Sequence, residues 1–104
     1  MDALTRLEAT VSARLAADPA GSYVASLAAR GVPHIARKLG EEAVETLVAA
    51  LDGTDDALVG EAADLLFHLT VLLAAKGVPL ERVMAELERR EGTSGLAEKA
   101  GRSA

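Results

Sequence analysis

Two closely spaced pairs of carboxylates stand in the middle of the sequence. Glu42 and Glu45 are three residues apart, and so are Glu61 and Asp64. Residues three apart in an α-helix lie on the same face, so each pair projects from one side of its helix. Because the segment between the pairs contains one turn, we expect an antiparallel helical hairpin in which the pairs face each other. Four carboxylates would then share one space.

Such a cluster requires compensating positive charge, since a buried carboxylate without a partner costs on the order of several kcal/mol. We expect Asp64 to be buried, because apolar residues surround it in the sequence. The compensating charge is either Lys or Arg in a structural ion network or a hard divalent cation. Oxygen ligands without cysteine favour Mg²⁺, with Mn²⁺ as a substitute, over Zn²⁺.

Four negative charges exceed those that one divalent cation neutralises. The cluster therefore also predicts a second ion, a contribution from Lys38 or a protonated carboxyl group. Magnesium held by carboxylates keeps positions for water and phosphate oxygens, so metal-assisted phosphoryl chemistry is the leading hypothesis. His68 follows Asp64 by one helical turn, and it is interpreted either as a hydrogen-bonded core histidine or as a residue that orients a metal ligand or contacts substrate.

The elements that must position these residues are helices. The chain has 104 residues, of which 50% are hydrophobic and 2% aromatic. This composition predicts one all-α domain over 1–104, a helical bundle of about five helices that dimerisation completes. Predicted helices cover about 3–17, 22–31, 33–51, 57–76 and 79–90. The periodicity ends at Arg90, and we expect 92–104 to be a flexible C-terminal segment.

Two of these helices carry the acidic pairs and have distinct apolar patterns. On the helix over 33–51, Glu42 and Glu45 fall on the flank of a predicted apolar face. The helix over 57–76 is interpreted as the most buried helix of the bundle, because its apolar part is too short and too polar at its centre to span a bilayer. The predicted apolar face comprises Ile35, Ala36, Leu39, Ala43, Leu47 and Ala50.

Charge and cysteine content exclude several classes of function. The formal net charge of -5 argues against nucleic-acid binding, which requires a basic surface. The absence of cysteine excludes disulfides and thiolate zinc sites and fits a reducing compartment. No signal-peptide pattern follows Met1, so we expect a cytoplasmic protein without membrane association.

The two acidic pairs, with fifteen residues between them, resemble the E-x-x-E and E-x-x-D signature of the all-α MazG-type nucleotide pyrophosphohydrolases. The flanking sequence is similar to the phosphoribosyl-ATP pyrophosphohydrolase family over nearly the whole chain. Phe67 departs from the tyrosine that this family often has at the position. The residues that carry the resemblance are Ser22-Tyr23 with Leu27 and Gly31, the segments 36–42 and 63–68, and Ser94-Gly95-Leu96 with Glu98, Lys99 and Arg102.

The resemblance implies an enzyme of histidine biosynthesis that uses Mg²⁺ to hydrolyse phosphoribosyl-ATP, a small-molecule nucleotide, to phosphoribosyl-AMP and pyrophosphate. It also implies a homodimer. Glu41 would be a peripheral metal ligand or the general base, and Lys38 would meet phosphate charge. The mildly basic C-terminal segment, residues 89–104, would close over the phosphates of the substrate. The implied metal ligands are Glu42, Glu45, Glu61 and Asp64, and the further implied substrate contacts are Ser22, Tyr23, His68, Lys99 and Arg102.

Two other functions stay open at this point. A general MazG-type pyrophosphohydrolase that removes surplus or non-standard nucleotides would share the metal site and differ only in the flanking residues. A non-catalytic helical dimerisation module would instead use the acids in ion networks. That module would show no stabilisation by Mg²⁺, whereas specific binding to the folded state raises the melting temperature.

Overall fold

The computed structural model of the chain describes residues 1–92 and 95–102. Within these ranges there are six α-helices and no strand, so the all-α prediction is confirmed. The five predicted helices correspond to α1–α5. The sixth helix lies after Arg90, where the sequence predicted no helix, and it has only eight residues, two of them glycine. The helices are α1 (Ala3–Arg14), α2 (Tyr23–Arg30), α3 (Val32–Asp52), α4 (Asp55–Ala75), α5 (Leu80–Arg90) and α6 (Gly95–Arg102).

Local capping interactions determine where the helices begin and end. Ser22 and Thr54 are the N-caps of α2 and α4, and each hydroxyl oxygen accepts a hydrogen bond from the backbone N–H three residues later, at 3.2 and 3.1 Å. Gly31 ends α2 with a φ of 92°, which a residue with a Cβ atom rarely adopts. The short turn after Asp52 then reverses the chain, so that α3 and α4 form the predicted hairpin.

The hydrophobic core lies at one end of this hairpin, where α1 and α2 cover it. The most extensive packing is between α3 and α4, and α1 packs mainly against α4 while α2 packs mainly against α3. Ile35 of α3 and Val71 of α4 are fully buried. The core therefore holds α3 and α4 together at the end of the hairpin that is away from the turn. The buried core residues are Val11, Val24, Leu27, Ile35 and Val71.

The predicted apolar face of α3 is not the face that packs against α4. The buried residues of α3 are Ile35, Glu42 and Ala49, which recur every seven residues. Leu47, by contrast, is 59% exposed. The hairpin contact uses the flank that carries Glu42, and within residues 1–92 and 95–102 most of the predicted apolar face stays uncovered. The exposed residues of that predicted face are Ala36, Ala43, Leu47 and Ala50.

The prediction that α4 is the most buried helix is also wrong for the single chain. Only 17% of its most apolar 18-residue stretch is buried, and Val59 and Leu66 are exposed. The argument from length fails as well, because the 21 residues of α4 are long and apolar enough for a membrane span by composition. Length and composition do not distinguish a membrane span from the central helix of a bundle. They therefore do not explain why much of α4 is uncovered.

Candidate metal centre

Three carboxylates converge between α3 and α4. One oxygen atom each of Glu42, Glu45 and Glu61 lies within 4.8 Å of the other two. Glu42 is buried, with 8% of its surface exposed, Glu61 is half-buried and Glu45 is exposed. The i,i+3 spacing places the first two on one face of α3, and the hairpin brings the third from the facing helix. The structure thus unites three of the four acids in the predicted pairs.

Two oxygen atoms in this cluster have no hydrogen-bond partner in the part of the chain that the structure describes. They are Oε2 of Glu42 and Oε2 of Glu61, and both are buried. Burial raises the pKa of each of these carboxyl groups, and the nearby Glu45 raises both further. The cluster therefore holds a proton, or a cation in its place, more readily than a solvated glutamate does.

The donor set fits a hard divalent cation. All three side chains offer carboxylate oxygens, which are the ligands that Mg²⁺ and Mn²⁺ prefer. The buried, unpaired oxygens provide the strongest indication, because an ordinary surface cluster of acids would be solvated. Glu42, Glu45 and Glu61 are thus the residues that could hold such an ion.

Asp64 and Glu41 lie outside the three-carboxylate cluster. Asp64 is exposed rather than buried as predicted, because this chain leaves much of α4 uncovered. Its charge still contributes to the raised pKa of Glu42 and Glu61, so it lies close to them. Glu41 instead forms an ion pair with Lys38, whose Nζ atom is 3.1 Å from Oε2 of Glu41, and this hydrogen bond raises the pKa of Lys38.

An aromatic cluster next to the acids connects α2 to α4. The Tyr23 hydroxyl group is 3.0 Å from Nε2 of His68, and Nδ1 of His68 is 2.8 Å from the backbone carbonyl oxygen of Asp64. A carbonyl oxygen only accepts, so Nδ1 donates, and in the neutral ring Nε2 accepts from Tyr23. The Phe67 ring stacks on Tyr23 with a centroid distance of 6.0 Å. His68 is 5% exposed and both of its nitrogens are bonded within the chain, as in a core histidine.

The other residues implied as substrate contacts lie at the ends of helices. Ser22 accepts its capping hydrogen bond from the backbone N–H of Ala25. Lys99 and Arg102 are exposed in the last turn of α6. Ser94 lies outside the described residues. Substrate contact by these side chains therefore stays a prediction.

Thr46 is a polar residue of the site that the sequence analysis did not identify. Its hydroxyl group contacts backbone carbonyls of both acidic helices, those of Glu42 and Glu61. The only sequence signal for this role is that Thr46 follows Glu42 by four residues. This spacing is common in helices, so it does not identify a site residue.

The fold and the site together define an all-α protein with a carboxylate centre in a helical hairpin. Residues 4–91 match the phosphoribosyl-ATP pyrophosphohydrolase family. A protein of Erythrobacter litoralis named phosphoribosyl-ATP pyrophosphatase is 64% identical over 102 residues, which are 98% of each chain. A protein of the same name from Rhizorhabdus wittichii is 67% identical over 99 residues, which are 95% of this chain and 93% of the relative. The chain belongs to this family of hydrolases.

The raised carboxyl pKa values predict how the stability of the metal-free protein depends on pH. The folded state binds more protons than the unfolded state, so the free energy of unfolding should fall as the pH rises from about 4.5 through the raised pKa values. Glu42→Gln mimics the protonated group and should flatten this fall. Urea unfolding with a chelator present, between about pH 5 and pH 8, measures it.

Glu88→Gln, at an exposed position of α5, provides the matched control and should keep the slope of the wild type. An identical slope for Glu42→Gln and the wild type would contradict the assignment of raised pKa values to the cluster.

Proposed function

We propose that this chain hydrolyses phosphoribosyl-ATP to phosphoribosyl-AMP and pyrophosphate, in histidine biosynthesis, with Mg²⁺ as cofactor. The family and the names of the relatives support the substrate. The observation that carries the metal dependence is the pair of buried oxygens without partners in the cluster of Glu42, Glu45 and Glu61. Mn²⁺ has the same ligand preference and should substitute.

The residues divide into metal ligands and groups that receive the triphosphate. Glu42, Glu45 and Glu61 would hold the ion, and Asp64 would join them from the next turn of α4. When bound, Mg²⁺ supplies Lewis-acid polarisation of phosphate oxygens and lowers the pKa of water. Glu41, exposed beside the cluster, is the candidate peripheral ligand or general base.

The reaction adds water across the α–β phosphoric anhydride. The α phosphate stays on phosphoribosyl-AMP, the β and γ phosphates leave together as pyrophosphate, and a carboxylate accepts the proton of the attacking water. Lys38 would exchange its ion pair with Glu41 for phosphate charge, which its 30% exposure permits. Lys99 and Arg102 would approach the phosphates from α6, and Ser22 and the half-exposed Tyr23 would contact the nucleoside side.

The uncovered face of α3 supports the proposed homodimer. Val44, Leu47, Val48 and Leu51 are between 50% and 76% exposed. Their spacing of three, four and seven residues makes one continuous apolar stripe, which is the pattern of a helix packed against another helix. A second copy of the chain would cover this stripe and the exposed Val59 of α4. A cytoplasmic location is proposed with the same function, because the substrate derives from ATP.

Release of pyrophosphate tests the proposed function. The wild type should release pyrophosphate from phosphoribosyl-ATP only when Mg²⁺ or Mn²⁺ is present, and much more slowly from ATP and dUTP. Equal or faster release from ATP or dUTP would instead identify a general nucleotide pyrophosphohydrolase. Failure to act on all three nucleotides would support the non-catalytic module and contradict the proposal.

Two variants connect this activity to the site. Glu61→Gln and Asp64→Asn remove one charge with little change in volume, so both should fold and lose at least about 100-fold in turnover. Circular dichroism checks the fold, and Glu88→Gln is the control that should keep full activity. Wild-type turnover in Glu61→Gln would refute its role as a metal ligand.

Size-exclusion chromatography with light scattering tests the dimer. The wild type should have about twice the chain mass of 10.7 kDa. Leu47→Glu places a charge in the proposed interface and should shift the protein towards the monomer. Leu96→Glu, on the exposed surface of α6, is the control that should stay dimeric. A monomeric wild type would contradict the proposed dimer.

A further inference from the structure

The hydroxyl group of Thr46 lies between the two acidic helices at the level of the carboxylate cluster. Its Oγ1 atom is 2.8 Å from the backbone carbonyl oxygen of Glu42 in α3 and 3.2 Å from that of Glu61 in α4. Both carbonyls accept, and one hydroxyl hydrogen serves them. The half-buried side chain therefore contacts the backbone of a cluster residue on each helix.

Only one of these two contacts is usual for a helical threonine. A Thr hydroxyl group commonly bonds to the carbonyl four residues earlier in its own helix, which explains the contact with Glu42. Thr70 makes this same bond, at 2.8 Å to the Leu66 carbonyl oxygen, and no contact of its hydroxyl with another helix is among the described hydrogen bonds. The contact of Thr46 with Glu61 is thus not explained by helix geometry.

The position of this contact makes it important for the cluster. Glu42 and Glu61 carry the two buried oxygens without partners, and burial together with the nearby charge of Glu45 raises the pKa of both carboxyl groups. A cation that binds both helices requires the carboxylates at a defined separation, because Mg²⁺ demands near-ideal octahedral geometry. The hydrogen bond from Thr46 in α3 to the Glu61 carbonyl oxygen in α4 holds the two helices together at the level of these carboxylates.

We propose that Thr46 is a positioning residue, whose hydroxyl group fixes the separation of Glu42 and Glu61 and so determines the affinity of the cluster for a divalent cation. The inference rests on the proposed metal-dependent function. Valine in place of Thr46 has nearly the same shape, but its second methyl group would stand 3.2 Å from the Glu61 carbonyl oxygen without a hydrogen bond. The methyl group of valine would therefore push α4 away from α3, whereas the hydroxyl group of threonine holds the two helices together.

The test compares how Mn²⁺ raises the melting temperature of Thr46→Val, Thr46→Ser and the wild type. Thr46→Val should require about 10-fold or more Mn²⁺ for the same rise, as for the loss of a group that orients a metal ligand. Thr46→Ser retains the hydroxyl group and should restore the wild-type curve to within about 3-fold. Half-activation of turnover by Mg²⁺ should shift in parallel, and Thr46→Ala serves if Thr46→Val does not fold.

Thr70→Val is the matched control, because it removes the bond within one helix and no bridge between helices. It should change the melting temperature without metal and leave the Mn²⁺ concentration dependence unchanged. A wild-type Mn²⁺ dependence in Thr46→Val, or an equal shift in Thr70→Val, would overturn the role of Thr46 while the metal site stands. A wild type without any Mn²⁺ response would instead overturn the metal assignment itself.

Discussion

Repulsion among the carboxylates of Glu42, Glu45 and Glu61 is the constraint to which the rest of the structure responds. Their oxygen atoms lie within 4.8 Å of one another, so Glu61 of α4 would move away from Glu42 and Glu45 of α3 if the two helices were free. The buried contact of Ile35 and Val71 with the covering helices α1 and α2 prevents this separation. Hydrophobic burial therefore holds the acids in an arrangement that a proton or a cation would relieve, and for this reason the cluster could hold a metal ion.

The uncovered surface of the hairpin follows from the same arrangement. The flank of α3 that carries Glu42 faces α4, so the apolar stripe beginning at Val44 faces outwards. The helices in the described part of the chain leave this stripe uncovered, which is the observation that supports the proposed homodimer. In the proposed function, α3 presents its acids to α4 and its apolar stripe to a second copy of the chain.

Much of the fold was predictable because its signals are local. Helix caps such as Ser22 and Thr54, and acids three residues apart, depend only on neighbouring residues. The burial of Asp64 was predicted wrongly, because burial depends on which elements cover a helix. The bridge from Thr46 to Glu61 joins residues fifteen positions apart, and only the packing distance between two helices reveals it.

The proposed function depends on the binding of a divalent cation by Glu42, Glu45 and Glu61 together. Anomalous diffraction from crystals grown with Mn²⁺ tests this most directly, because it locates the metal without reference to activity. A peak between α3 and α4, within about 2.0–2.6 Å of oxygens from Glu42 and Glu61, is the predicted result. Crystals that bind Mn²⁺ only elsewhere, with the oxygens of Glu42 and Glu61 still without a metal, would contradict the claim.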